Sequence, residues 1–186
     1  MSRQISQPAL NFSPEILLRA QQVRLLIMDV DGVLTDGGLY FSEMGEALRR
    51  FSVLDGQGIK LLARVGIELA VISGRDSAAL RTRFQALRIG HAILGTEDKL
   101  PAAQALLAQI GLTWLQVAVM GDDWPDLPLL SRSALACSPA NAHAQNKALA
   151  HYVTHARGGE GAVREICDLI LTAQGHYARL LQEAAL

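Results

Sequence analysis

Several residues able to do chemistry stand close after short apolar runs of this chain. They are five aspartates, one serine, one arginine and one lysine: Asp29, Asp31, Asp122, Asp123, Asp126, Ser73, Arg75 and Lys99. Aspartates that converge repel one another unless a cation lies between them. Carboxylate oxygens favour a hard ion, and an open site that keeps its waters favours Mg²⁺. One such aspartate alone would be explained as the cap of a turn, but the whole set predicts a Mg²⁺ site.

The same residues fit the steps of phosphoryl transfer. Asp29 is the candidate nucleophile, because a carboxylate that attacks phosphorus forms an aspartyl-phosphate. Asp31 follows two residues later, where it can protonate the leaving oxygen as general acid and then activate water as general base. Ser73 would donate a hydrogen bond to a phosphoryl oxygen, and Lys99 would offset transition-state charge. Together they predict a complete phosphoryl-transfer site.

Strand-like and helix-like segments alternate along the chain, and this alternation would bring the polar residues together. Short apolar runs occupy 25–28, 67–72, 92–94, 117–120 and 135–137, each ending at Gly or a small polar residue. Stretches with helical spacing lie between them, so we expect a parallel sheet covered on both faces. Ligands of such sheets bind beyond the carboxyl ends of the strands. The predicted class is α/β, with a Rossmann-like doubly wound parallel sheet.

Length and composition favour one domain over 1–186. The chain has 186 residues, of which 50% are hydrophobic, so it can build a core of ordinary size. Within it we expect an N-terminal helix region at 1–22, an inserted β-hairpin at 38–53 and a C-terminal tail at 175–186. The hairpin is too short to be a domain and fits an edge ribbon, a lid or an oligomer contact.

Charge and composition exclude some partners. Seventeen basic and eighteen acidic residues give a net charge of −1, which argues against nucleic-acid or polybasic membrane binding. No apolar run approaches the roughly 18 residues that span a bilayer, and residues 1–13 lack the features of a secretory signal. Cys137 and Cys167 are too far apart to suggest a disulfide framework, which favours a cytoplasmic location. His151 and His155 have zinc-like spacing, but the residues between them predict a strand.

Four ordered motifs resemble those of the haloacid dehalogenase-like phosphatases. They are Asp29-Val30-Asp31-Gly32-Val33, Ser73-Gly74-Arg75, Lys99 and Gly121-Asp122-Asp123-Trp124-Pro125-Asp126. Further segments narrow the resemblance to the 3-deoxy-D-manno-octulosonate 8-phosphate phosphatase family. These are the hairpin and the sequences at 34–37, 55–60 and 158–165, and the resemblance covers roughly residues 24–175.

The resemblance implies a Mg²⁺-dependent phosphatase of lipopolysaccharide synthesis that acts through an aspartyl-phosphate. Mg²⁺ would be bound by the carboxylates of Asp29 and Asp122 and the backbone carbonyl of Asp31, with Asp123 and Asp126 in support. The substrate, a phosphorylated sugar acid, would contact Asp31, Ser52, Val53, Leu54, Asp55, Gly56, Lys60, Gly74, Arg75, Arg83 and Lys99, some of them from a neighbouring subunit. Family members have no large cap domain and form homotetramers through their hairpins.

Two departures from the family pattern bear on the substrate. Lys60 stands where many members carry Arg, which keeps charge but loses bidentate grip. Glu160 stands where many have a basic residue, and Arg157 could restore that charge. A nine-carbon sugar acid phosphate is therefore an alternative substrate, since one carbon unit changes binding by only about 1–3 kcal/mol. A phospho-accepting signalling receiver is an alternative of another class, but such a module needs no general acid like Asp31.

Overall fold

A computed structural model describes residues 10–185, so residues 1–9 of the predicted N-terminal helix region and Leu186 lie outside the described residues. The strands are β1 (Leu25–Met28), β2 (Tyr40–Ser42), β3 (Gly45–Leu48), β4 (Glu68–Ser73), β5 (His91–Leu94), β6 (Val117–Met120), β7 (Leu135–Ser138) and β8 (Tyr152–Val153). The α-helices are α1 (Pro14–Ala20), α2 (Val53–Arg64), α3 (Ala78–Leu87), α4 (Lys99–Ile110), α5 (Leu127–Leu130), α6 (Ala144–Leu149), α7 (Ala162–Ala173) and α8 (Tyr177–Ala184). Single 3₁₀ turns lie at Trp114–Gln116 and Trp124–Asp126.

Six strands form one parallel sheet in the order β5-β4-β1-β6-β7-β8. β1 lies inside the sheet, and its last residue, Met28, pairs in register with Val71 of β4 and Met120 of β6. The N–H of Asp29 continues this ladder by donating to the carbonyl of Met120 at 3.0 Å. The carboxyl ends of the three strands therefore meet at one edge of the sheet, as the predicted fold requires.

Helices cover both faces of this sheet. Leu26 and Met28 of β1 belong to one hydrophobic cluster, which includes residues of α1, α2, α3 and α7. Leu25 and Ile27 belong to a second cluster with residues of α4 and α5. All four β1 side chains are buried because successive strand residues point to opposite faces and each face has its own helical layer. The predicted doubly wound α/β class is confirmed.

The strand bounds differ little from the prediction, but the hairpin is shorter than expected. Its strands, β2 and β3, pair as a separate two-stranded antiparallel sheet that ends at Leu48. Residues 52 and 53, predicted as part of the hairpin, instead begin α2. Ser52 is the helix N-cap, and its Oγ accepts hydrogen bonds from the N–H groups of Leu54 and Asp55. The hairpin prediction extended too far because Ser52 begins a helix at this point.

The C-terminal segment, predicted only as a tail, contains the helix α8. Leu180 buries its side chain in the larger hydrophobic cluster, and Glu183 pairs with Arg64 of α2 at 2.9 Å. The strand predicted between His151 and His155 is also present, as β8, and it joins the edge of the main sheet. Within residues 10–185, no helix has the length and apolar character needed to cross a membrane.

Candidate active site

A cavity of about 700 Å³ opens at the carboxyl ends of β1, β4 and β6. It brings together all eight residues that the sequence indicated as able to do chemistry. Its lining is Asp29, Asp31, Gly32, Gly37, Ser73, Gly74, Arg75, Glu97, Lys99, Asp122, Asp123, Pro125 and Asp126. Asp29 and Asp31 follow β1, and Ser73 is the last residue of β4. The three aspartates at 122, 123 and 126 follow β6, and Lys99 is the first residue of α4.

Lys99 lies between two carboxylates. Its Nζ is 2.8 Å from Oδ1 of Asp29 and 2.7 Å from Oδ1 of Asp126, and its side chain is only 5% exposed. Burial alone would lower the pKa of a lysine, but the two carboxylates outweigh it and raise the pKa of Lys99. The lysine is therefore held as a cation beside the candidate nucleophile.

Asp126 organises the loop that carries Asp122. Its Oδ2 accepts hydrogen bonds from the N–H groups of Asp122 at 3.0 Å and Asp123 at 3.4 Å, while Oδ1 accepts from Lys99. Both oxygens are thus already used by the protein. The side chain of Asp123 caps the following turn by accepting from the N–H of Trp124. These contacts fix the loop at the mouth of β6.

Helix α6 supports the same loop from outside. The N–H of His143 donates to the carbonyl of Asp122 at 2.8 Å, and the side-chain amide of Asn146 donates to the carbonyl of Asp123 at 2.7 Å. Trp124 is 61% exposed. Its indole N–H donates to Nδ1 of His143 at 3.0 Å.

Asp29, Asp122 and Asp126 place three carboxylates close together, and Lys99 contributes one positive charge to them. Each offers a carboxylate oxygen within 4.8 Å of those of the other two. Burial, reinforced by Asp126, raises the pKa of Asp29 to about 6. Burial, reinforced by Asp29 and Asp126, raises the pKa of Asp122 to about 8. A divalent cation between Asp29 and Asp122 would relieve this repulsion, so the donor set fits Mg²⁺.

Ser73 ends β4 with its hydroxyl at the cavity. The residue is 1% exposed, and its Oγ accepts a hydrogen bond from the N–H of Arg75 at 3.2 Å. Because Oγ acts as acceptor towards Arg75, its own proton remains free for donation. Gly74 and Arg75 complete this part of the lining.

The carboxylate of Asp31 is paired with two arginines. One is Arg75, at 3.6 Å. The other is Arg49, just beyond the end of β3, which donates to Oδ1 of Asp31 and also pairs with Glu46. In the sequence, Arg49 and Arg50 form a short basic pair, which is more often a solvated face than the lining of a ligand entry. The role of Arg49 depends on how the hairpin folds over Asp31, which no local pattern reveals.

The glycine pair at 158–159 packs against the loop after β1. The N–H of Gly159 donates to the carbonyl of Val33 at 3.0 Å, and a Cβ on Gly158 would lie 1.7 Å from the carbonyl oxygen of Gly32. Only glycine permits this approach. Glu160, the residue that departs from the family pattern, lies 3.6 Å from Arg50 of the hairpin end. Its charge is thus met within the chain.

Other predicted substrate contacts do not line the cavity of this chain. They are the segment at 52–56, Lys60 and Arg83. Val53 and Leu54 are exposed, whereas Asp55 is buried and accepts from the N–H groups of Gly161 and Arg164, so it caps α7.

The two basic residues among these predicted contacts have other surroundings. Arg83 donates to the carbonyl of Ser52 at 3.2 Å and stacks over Phe51, and Gly56 packs against it. Its Nε has no hydrogen-bond partner among the described residues.

Lys60 lines a separate cavity of about 500 Å³ with Arg64 and Arg88 among its neighbours.

Comparisons with known proteins agree with this geometry. The haloacid dehalogenase-like hydrolase family matches residues 95–166. The 3-deoxy-D-manno-octulosonate 8-phosphate phosphatase KdsC of Yersinia pestis is 46% identical over 160 residues, which cover 86% of each chain.

Solved structures show the same fold. The Moraxella catarrhalis 3-deoxy-D-manno-octulosonate 8-phosphate phosphatase, in complex with magnesium, phosphate and KDO, has a TM-score of 0.89 at 39% identity, over 91% of this chain and 97% of that one. The cobalt-bound deoxy-D-mannose-octulosonate 8-phosphate phosphatase of Haemophilus influenzae has a TM-score of 0.86 at 40% identity, over 90% and 98%. The chain therefore belongs to the 3-deoxy-D-manno-octulosonate 8-phosphate phosphatase family of haloacid dehalogenase-like hydrolases and is a phosphoric monoester hydrolase.

Proposed function

We propose that this enzyme hydrolyses 3-deoxy-D-manno-octulosonate 8-phosphate to the free sugar acid and inorganic phosphate, as a step of lipopolysaccharide synthesis. The observation that carries the proposal is the position of Asp29, which shares one cavity with Lys99, Ser73 and Asp31. Close relatives named for this activity support the choice of substrate. A phospho-accepting receiver module is not supported, because the relatives are phosphatases and the cavity includes an acid beside the nucleophile.

Three groups would hold Mg²⁺: the carboxylates of Asp29 and Asp122 and the backbone carbonyl of Asp31. Asp126 belongs to the same acidic cluster, but its oxygens already accept from Lys99 and two loop N–H groups, so it acts as a support. When bound, Mg²⁺ supplies positive charge that keeps Asp29 ionised and offsets charge on the transferred phosphoryl group. Magnesium in the Moraxella catarrhalis structure supports this choice of ion.

In the first half-reaction Asp29 attacks the phosphorus and the bond to the sugar oxygen breaks. Asp31 donates a proton to that oxygen, so the sugar leaves as an alcohol. Ser73 donates a hydrogen bond to a phosphoryl oxygen, and Lys99 offsets the developing charge. The product of this step is an aspartyl-phosphate on Asp29.

In the second half-reaction water attacks the aspartyl-phosphate. Asp31, now ionised, accepts a proton from that water, and the carboxylate of Asp29 is released together with phosphate. One residue thus serves as acid and then as base, which requires its carboxylate to face the cavity in both steps. The position of Asp31 in the cavity lining supports this double role.

Recognition of the sugar acid would involve more than one chain. Arg75 lies in the cavity of its own chain, whereas the segment at 52–56, Lys60 and Arg83 lie outside it. We assign these residues to the cavity of a neighbouring subunit in a homotetramer. The hairpin supports this assembly, because it exposes four large apolar side chains: Tyr40, Phe41, Met44 and Leu48.

The remaining properties of the chain fit a cytoplasmic enzyme with a small-molecule partner. Both cysteines, Cys137 and Cys167, are free and buried, as expected in a reducing compartment. The chain has local groups of acidic and of basic residues, and almost no net charge. This distribution suits a substrate that carries a phosphate and a carboxylate.

A phosphatase screen over a panel of sugar phosphates, in Mg²⁺ and in EDTA, tests the proposal. The panel includes the eight-carbon and nine-carbon 2-keto-3-deoxy sugar acid phosphates as a matched pair. We expect the highest kcat/KM on the eight-carbon substrate and no turnover in EDTA. A higher kcat/KM on the nine-carbon substrate would replace the proposed substrate, and full activity in EDTA would reject the role of Mg²⁺.

A further inference from the structure

At the end of the hairpin, Arg49 buries its guanidinium group against Asp31, the candidate general acid and base. Its side chain is 2% exposed, and its Nη1 donates to Oδ1 of Asp31. Arg50, the next residue, is 53% exposed and lies 3.6 Å from carboxylate oxygens of Asp36 and Glu160. Two neighbouring arginines therefore have different surroundings, and only the first contacts Asp31.

Glu46 fixes the guanidinium of Arg49 from the other side. Its two carboxylate oxygens accept from Nε and Nη2 of Arg49, which is the bidentate arrangement that holds an arginine in one orientation. Glu46 also lies 3.5 Å from Nη1 of Arg75. The hairpin thus supplies a pre-oriented donor whose free end points at Asp31.

Asp31 has one further ion pair among the described residues. Its second ion pair, with Arg75, is longer at 3.6 Å, and Arg75 is 48% exposed. Arg75 lines the cavity, where it can move to meet substrate, whereas Arg49 does not line it. Arg49 therefore contacts the carboxylate from outside the space that substrate occupies.

We propose that Arg49 is a positioning residue: it binds Oδ1 of Asp31 and leaves Oδ2 to carry the proton that is donated in the first half-reaction and regained in the second. The proposal rests on the function proposed above. Proton transfer requires hydrogen-bond distance between the carboxylate and the oxygen it serves. A side chain free to rotate would meet that distance for only part of the time, so loss of Arg49 slows catalysis without removing the acid itself.

Two substrates separate the effects on the two half-reactions. The sugar phosphate has an alkoxide leaving group and needs the proton of Asp31 in the first step. p-Nitrophenyl phosphate releases a stable phenolate and does not need that proton, yet its aspartyl-phosphate still needs Asp31 to activate water. A mispositioned Asp31 therefore slows both steps for the sugar phosphate and only the second step for p-nitrophenyl phosphate.

The test uses Arg49→Met, with Arg50→Met as the matched control, in the full-length enzyme with Mg²⁺. For Arg49→Met we expect kcat on the sugar phosphate to fall by about 10- to 100-fold with KM changed less than about threefold. p-Nitrophenyl phosphate should give a burst of about one p-nitrophenol per active site, followed by slow turnover. Arg50→Met should behave like the wild type, and Arg49→Lys should recover part of kcat.

Several results would overturn the proposal. One is wild-type kinetics in Arg49→Met, and another is an equal loss on both substrates with a reduced burst, which indicates fewer folded sites. If Arg49→Met does not fold by circular dichroism, Glu46→Gln must give the same burst and slow turnover, or the proposal fails. A wild-type enzyme inactive on all phosphate esters would reject the proposed function together with this inference, whereas an active wild type confines the failure to Arg49.

Discussion

The ammonium nitrogen of Lys99 lies 2.8 Å from a carboxylate oxygen of Asp29. The lysine comes from the first turn of a helix and the aspartate from the end of the β1 strand, so the contact joins two separate elements of the fold. Because both side chains are almost completely buried, the charge of Lys99 acts on Asp29 with little screening by water. The nucleophile is thus partly neutralised by the protein itself before any ligand binds.

Replacing Asp29 by Asn should abolish turnover and leave the fold intact. The change removes the nucleophilic oxygen with almost no change in volume, so we expect kcat to fall by at least about 10⁴-fold. Phosphate release measures the loss, and circular dichroism measures the fold. Asp98→Asn is the matched control, because Asp98 is exposed beside Lys99 and outside the cavity lining. Substantial residual activity in Asp29→Asn would refute the assignment.

Asp122→Asn and Asp126→Asn should separate metal binding from structural support. In Asp122→Asn we expect loss of the stabilisation that Mg²⁺ gives, which for wild type is about 2.7 kcal/mol at one hundred times its Kd. Asp126→Asn should retain that Mg²⁺ effect but lower the free energy of unfolding by about 1–3 kcal/mol. The amide oxygen of Asn can replace only one of the two carboxylate oxygens, so either Lys99 or the loop N–H groups lose their acceptor. Urea unfolding with Mg²⁺ and with EDTA measures both. The reverse pattern would make Asp126 the ligand.

The metal-free protein should lose stability as pH rises. Burial and neighbouring carboxylates raise the pKa of Asp122 from 3.8 to about 8 in the folded state, so the folded protein binds more protons than the unfolded chain between these values. The contribution to stability is then full below pH 3.8 and is lost as pH rises through about 8. Urea unfolding in EDTA at pH 6 and pH 8.5 checks this, and Asp122→Asn should flatten the slope. A rise in stability over this interval would contradict the prediction.

Polar substitutions in the hairpin should yield smaller oligomers. Phe41 and Met44 are 67% and 98% exposed, and burying them against a second copy would remove apolar surface from water. We expect Phe41→Ser with Met44→Ser, or deletion of residues 40–48, to lower the mass found by sedimentation velocity. Leu115→Ser is the control, because Leu115 is 76% exposed far along the chain, before β6. An unchanged mass would rule out the hairpin as the oligomer contact.

Gly158→Ala should disturb the active site, although Gly158 lies far from Asp31 in the sequence. The added Cβ would lie 1.7 Å from the carbonyl oxygen of Gly32, so the loop that follows Asp31 or the glycine loop must move. We expect a loss of about 1–3 kcal/mol in unfolding free energy, together with a lower kcat. Gly90→Ala is the control, because a Cβ there would meet its nearest atom at 3.8 Å. Equal stability and activity in both variants would show that the loops yield without cost.

The sequence predicted the part of the site that follows from strand ends. Asp29 and Asp122 could be placed together because each comes just after a short apolar run, and parallel strands align their carboxyl ends. Ser73 followed from the same rule, and Lys99 was expected there because it begins the helix after the third apolar run. This part was predictable because it depends on local sequence and on one property of the fold.

The rest depends on where side chains point and on contacts between distant segments. Asp55 lies in a stretch that resembles substrate-binding residues of the family, yet its carboxylate caps α7, more than one hundred residues away in the chain. The short strand before Arg49 does not predict the direction in which the Arg49 side chain points. Only the folded hairpin brings that side chain to Asp31. Neither direction is encoded in residue type or spacing.

The interior position of β1 in the sheet has a consequence for how the protein is made. β1 pairs with β4 on one side and β6 on the other, and β6 ends at Met120. Until the ribosome has added β6, the N–H and C=O groups along one edge of β1 have no partner strand. The apolar side chains on one face of β1 also lack part of the helical layer that covers them in the folded protein. A nascent chain stalled there is a candidate for chaperone capture or aggregation. Gly159, whose N–H donates to the carbonyl of Val33, is added later still, so the loop after β1 gains this contact only late in translation.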